Sequence, residues 1–153
     1  MSEQQPVFSV EKIYVKDLSL ENPNSPQSYL SQEQPQVEIS LQTRGQKVDE
    51  GYYECVLTVT VTAKQGENTL FLVEAAQAGL FQIRNVPDAD LQPILGIHCP
   101  TILFPYVRET VSNAIGHAGY PAILLNPISF EQLYQEQMRE MQAQSQAGEL
   151  PVQ

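Results

Sequence analysis

His98, His117, Cys55 and Cys99 are the only histidines and cysteines in this 153-residue sequence, and they limit the chemistry it can do. His98 and Cys99 have the types of a base and a nucleophile. Chain neighbours generally do not form a catalytic dyad, which needs the base to reach across to the nucleophile at hydrogen-bond distance. His117 stands about five helical turns from Cys99, too far to share a metal within one helix. The carboxylate pairs Asp88/Asp90 and Glu136/Glu140 have local spacings that a helix start and a solvated helix face already explain. No phosphate loop or dinucleotide fingerprint occurs. The expectation is a protein with no catalytic group, metal or cofactor. Its enzymatic rival is a hydrolytic site at a subunit interface, on which His98, Glu109 or Asp90 would have to converge.

The elements that position these residues centre on 52–83. Tyr53, Cys55, Leu57, Val59 and Val61 alternate with Glu54, Val56, Thr58, Thr60 and Thr62, the period of a two-faced strand. A polar turn at 64–68 and a second run over 69–76 complete an antiparallel hairpin. Gly79 interrupts that run as a bulge or a close backbone approach, and 80–83 extend it. A hairpin alone is marginal in water, so other strands must pair with it.

Residues 8–20 are strand-like, but their parity slips: Phe8 and Val10, then Ile13 and Val15, then Leu18 and Leu20. A β-bulge near Glu11 or Lys12 accounts for this. Residues 21–35 carry Pro23, Pro26 and Pro35 and form a long connection of the kind that often holds function. Val37, Ile39 and Leu41 alternate with polar residues over 36–43, and 44–51 reads as a polar loop.

Helices follow. One starts near Asp88 and reaches about Ile97. The main one spans 100–118, with a kink or restart expected at Pro105 and Gly119 as terminator. Residues 120–127 form an extended apolar linker between prolines. Ser129 caps a last helix, with Gln132 completing a capping box and Phe130, Tyr134, Met138 and Met141 as its apolar stripe. The fold class is therefore α+β: a four-stranded antiparallel sheet, a long kinked helix and a shorter C-terminal helix. The domain spans 1–144, with a disordered tail over 145–153.

Eighteen acids against eight bases give a net charge of −10. That balance disfavours nucleic acid and anionic lipid and favours basic partners. Residues 1–6 lack the basic and apolar regions of a leader, no apolar run approaches a membrane span, and the cysteines show no disulfide framework. A cytoplasmic protein with no direct membrane insertion is expected. The apolar surfaces exceed what one narrow sheet covers, which points to a partner groove or to oligomerisation.

Cys99-Pro100-Thr101-Ile102-Leu103-Phe104-Pro105-Tyr106-Val107-Arg108-Glu109 closely resembles the signature segment of the SecB family of bacterial protein-export chaperones. Residues 14–24, 57–63 and 77–81 resemble its first strand and central hairpin, so the likeness covers nearly everything but the tail. It implies a homotetramer, a dimer of dimers. It also implies an ATP-independent holdase that keeps precursor proteins unfolded and delivers them to the motor SecA. By position, Asp17, Glu21, Leu72 and Glu74 match motor-binding residues. Val73, Ala75 and Gln77 match positions linked to tetramer assembly, to which the helical stripe Val107, Val111 and Ala114 is added. The client groove takes Val37, Ile39 and Leu41 with Leu133 and Tyr134, and the apolar residues Tyr120, Ile123 and Phe130 join them. A chaperone of this fold dedicated to another client, such as an antitoxin, is the closer rival.

Overall fold

The computed structural model describes residues 4–148. Strands β1 (Val7–Glu21), β2 (Gln36–Asp49), β3 (Tyr52–Gln65) and β4 (Asn68–Arg84) form one antiparallel sheet in the order β1-β4-β3-β2. The β3/β4 hairpin is its centre, and β1 and β2 are its edges. A short 3₁₀ turn, Gln27–Leu30, lies in the β1–β2 connection.

Alternation sends Cys55, Leu57, Val59 and Val61 of β3, with Val73, Ala75 and Phe81 of β4, to one face, where they are fully buried. Three helices follow on that side: α1 (Asp88–Pro93), α2 (Cys99–His117) and α3 (Phe130–Gly148). Leu103, Val107, Val111 and Ile115 of α2 close the core over the hairpin.

The structure moves several expected boundaries. β2 does not stop at Thr43. Arg44, Gly45, Gln46 and Lys47 keep pairing with Val56, Cys55, Glu54 and Tyr53, so the expected 44–51 loop shrinks to the turn at Glu50 and Gly51. β4 runs unbroken past Gly79, where a Cβ would lie 2.7 Å from the Phe81 ring and 3.1 Å from Leu103. The glycine marks close approach, not a bulge.

α2 continues through Pro105. The irregularity lies upstream, in a π-helical turn at Ile94–His98 that joins α1 to α2. Pro100 lacks the N–H that an α-helix would donate to Gly96, and a widened turn absorbs the defect. The last helix is as long as α2, at 19 residues, and includes Ser145. Residues 149–153 of the expected tail lie outside the described residues. The Ser129 cap is present, its Oγ accepting from the Gln132 N–H at 3.3 Å.

β1 has two register shifts, one between Val10 and Lys12 and one between Val15 and Asp17. The first is the expected bulge. Each extra residue flips the parity, so the two together keep Phe8, Val10, Ile13, Val15, Leu18 and Leu20 on the helix side.

Candidate functional site

The sheet's outer face carries the acids. Asp17 pairs with Ala76, Ser19 with Glu74 and Glu21 with Leu72, so Asp17, Glu21, Leu72 and Glu74 share one face of the β1/β4 pair. The three acids are exposed and Leu72 is half-buried. Further along this face, Glu54 accepts hydrogen bonds from Tyr14, from Lys16 at 2.7 Å and from Gln46 at 3.3 Å. Burial pushes its carboxyl upward, but the Lys16 and Tyr14 hydrogen bonds outweigh that and hold it below the usual range. Burial, then the Glu54 hydrogen bond and charge, push the Tyr14 hydroxyl up to about 12.

On the helix side, α2 covers β3 and β4 and leaves the edges open. Beside β2 lies a groove of 660 Å³ lined by Val37, Leu70, Phe71, Tyr120 and Ile123, with Tyr29 and Pro35 from the β1–β2 connection. Leu41, Leu133 and Tyr134 line a separate space of 30 Å³ near Gly96. The eight expected groove residues are therefore divided. Val37, Tyr120 and Ile123 share the large groove, Leu41, Leu133 and Tyr134 the small one, and Ile39 lies exposed between Val37 and Leu41 on β2. Phe130 also reaches the small space, but it is buried edge-on against Phe104, with centroids 5.9 Å apart, and so anchors α3.

A hydrogen-bonded cluster closes one end of the large groove. Asn22 donates from Nδ2 to the Ala118 carbonyl at 3.1 Å and to the Tyr29 hydroxyl at 2.8 Å. The Tyr29 hydroxyl donates to the same carbonyl at 2.6 Å. The Tyr120 hydroxyl donates to Asn22 Oδ1 at 3.1 Å and meets Ser28 Oγ at 2.5 Å. Its ring lies 5.2 Å from that of Tyr29 and 5.1 Å from that of Phe71. The turn-rich composition of 21–35 marked this connection as interesting, but no pattern identified Asn22, Ser28 or Tyr29.

The six residues expected at a tetramer interface are all buried within this chain. Val73, Ala75, Val107 and Val111 have no exposed surface, Ala114 is buried, and buried Gln77 accepts from the Thr110 hydroxyl at 3.1 Å. Within the chain they pack between its own sheet and helix α2. Apolar surface is left free along the β1 stripe, where Phe8, Val10, Val15, Leu18 and Leu20 are 40–48% exposed.

His98 and His117 are exposed, while Cys99 is fully buried. The neighbouring Cys55 thiol, then burial, push the Cys99 thiol far up, so it remains protonated and a poor nucleophile. Among the described residues no three of His, Cys, Asp or Glu are grouped to hold a metal, and no helix is long and apolar enough to cross a membrane.

The family model described as preprotein translocase subunit SecB matches residues 1–141. The protein-export protein SecB of Chromobacterium violaceum is 60% identical over 151 residues, covering 97% of this chain and 99% of the relative. That of Dechloromonas aromatica is 55% identical over 153 residues, covering 98% and 97%. Among solved structures, a SecB-like chaperone of Mycobacterium tuberculosis, in complex with a peptide from an antitoxin, superposes with a TM-score of 0.66. It is 13% identical and covers 80% of this chain and 91% of its own.

Proposed function

The chain belongs to the SecB family, and from that premise we propose how its two sheet faces divide the work of a protein-export chaperone. The helix-side groove holds unfolded precursor proteins, and the outer face docks the motor SecA. The holding is ATP-independent and takes place in the cytoplasm, before translocation.

One observation carries this reading. A single sheet puts a 660 Å³ apolar groove on one side and three exposed acids on the other. Apolar, aromatic-lined surface accepts many extended sequences because its contacts are undirected. Grouped acids favour a basic partner and speed its encounter at low salt. Assembly as a dimer of dimers would cover the β1 stripe and give each client several grooves, multiplying weak contacts. Val73, Ala75, Gln77, Val107, Val111 and Ala114 would then affect assembly through the seating of α2.

Two variants test the division. Asp17→Lys with Glu21→Lys should weaken SecA binding and leave capture of an unfolded precursor intact. Val37→Asp with Ile123→Asp should do the reverse. Equal loss of both activities in either variant would refute the division. A chaperone dedicated to an antitoxin draws support only from the fold likeness at 13% identity.

A further inference from the structure

We propose that Asn22 and Tyr120 are positioning residues that couple the acidic outer face to the apolar groove. The inference rests on the reading of those two surfaces given above. Glu21 and Leu72 are Cα partners across β1 and β4. One residue beyond Glu21, Asn22 Oδ1 accepts from the Tyr120 hydroxyl at 3.1 Å. Two residues before Leu72, the Leu70 carbonyl lies 3.5 Å from the same hydroxyl.

Both strands that carry the docking residues therefore hold one tyrosine, whose ring belongs to the groove wall. Asn22 also holds the Ala118 carbonyl at the end of α2. The next residue, Gly119, has φ +89°, a conformation open to glycine at no steric cost, and the chain turns there into the linker. A partner that displaces the Glu21/Leu72 pair displaces Asn22. Tyr120 then loses an acceptor, and the groove end it closes is free to change shape. Because coupling between sites is reciprocal, an occupied groove must also alter docking at Glu21 by the same factor.

The test measures the Kd of a labelled unfolded precursor with and without saturating SecA, using the full chain. In the wild type SecA should change that Kd by about 5-fold or more. In Asn22→Ala the acceptor is missing with or without SecA, so the SecA-dependent ratio should fall to about 1, whatever the starting Kd. In Tyr120→Phe, which keeps the ring and removes the hydroxyl, the ratio should also fall to about 1, whatever the starting Kd. Asn24→Ala loosens the same connection, through its 2.7 Å bond to the Thr69 carbonyl, without touching Tyr120, and should retain the wild-type ratio.

A purely structural role would move both Kd values together and leave the ratio unchanged, which would overturn the proposal. So would a wild-type ratio of 1 with both partners bound, or an equal loss in Asn24→Ala. A wild-type chain that binds neither partner would remove the underlying reading, and the coupling with it.

Discussion

Replacing Glu54 with Ala tests whether one carboxylate ties the sheet together. Glu54 stands on β3, its Lys16 and Tyr14 donors lie on β1 beyond β4, and Gln46 lies on β2. The carboxylate thus links both edge strands to the centre, and it is only 7% exposed. The Tyr14 bond is charge-assisted and part-buried, worth about 1.5–3 kcal/mol. The Lys16 pair contributes about 1 kcal/mol or less, because the lysine is 41% exposed. The three are not additive, and a loss of about 3 kcal/mol is expected for Glu54→Ala. For a chain of this length that lowers Tm by about 6–12 °C. The assay is urea unfolding followed by far-UV circular dichroism at fixed protein concentration, since assembly would add a concentration dependence. The pH profile supplies the sign. The folded pKa of Glu54 is depressed, so its contribution is full above the ordinary carboxylate range and is lost as pH falls through the folded value. The folded pKa of Tyr14 is raised, so its contribution is full below pH 10 and is lost as pH rises toward about 12. A loss below about 0.5 kcal/mol at pH 7, the range of ordinary surface substitutions, would refute the account.

Three further outcomes are expected. Gly79→Ala should cost about 1–3 kcal/mol by urea unfolding, because its Cβ would meet the buried Phe81 ring at 2.7 Å and nothing there can swing into solvent. Gly119→Ala should cost about 1–2 kcal/mol, since the position combines φ +89° with a Tyr29 ring 3.1 Å from the new methyl. Leu18→Asp should keep the far-UV spectrum of the wild type, because Leu18 is 48% exposed within the chain, yet lower the mass found by light scattering. An unchanged mass would remove the β1 stripe from the assembly surface.

Elements with a strong period were readable from the residues. The alternation through 53–63 located β3, and the parity slips of 8–20 implied a bulge that the register contains. Legibility failed where pattern is absent. Arg44 to Asp49 are mostly polar on both faces, so no alternation marks them as strand, and their pairing with β3 decides the matter. Pro105 is a local signal overridden by packing, since Phe104 and Val107 on either side of it are buried and hold the helix in place. Asp17, Glu21, Leu72 and Glu74 lie on one face because Asp17 pairs with Ala76, Ser19 with Glu74 and Glu21 with Leu72. Apolar pattern did not separate groove lining from core at Phe130, and no spacing showed that the sheet and α2 bury Val73, Ala75 and Gln77 between them. The Asn22–Tyr120 bond joins residues 98 apart, a separation at which no spacing rule operates.

Dimensions explain why so much apolar surface remains free. Four strands spaced about 4.8 Å apart put the outer strand axes about 14 Å from each other. A helix with its side chains is about 10 Å across. α2 sits over the central β3/β4 pair, where the fully buried residues lie, so it cannot also shelter both edges. α3 offers little more, because Met138 and Met141 on its stripe are themselves exposed. The two bulges in β1 make the deficit larger. Without them, Ile13 and Val15 would turn to the outer face and mix with the acids there. With them, the strand delivers six apolar side chains to the helix side and leaves Asp17 and Glu21 on the other. The separation of greasy from acidic surface is thus built by register. A second helix layer from another subunit, or an unfolded chain, is what the uncovered edges can accept.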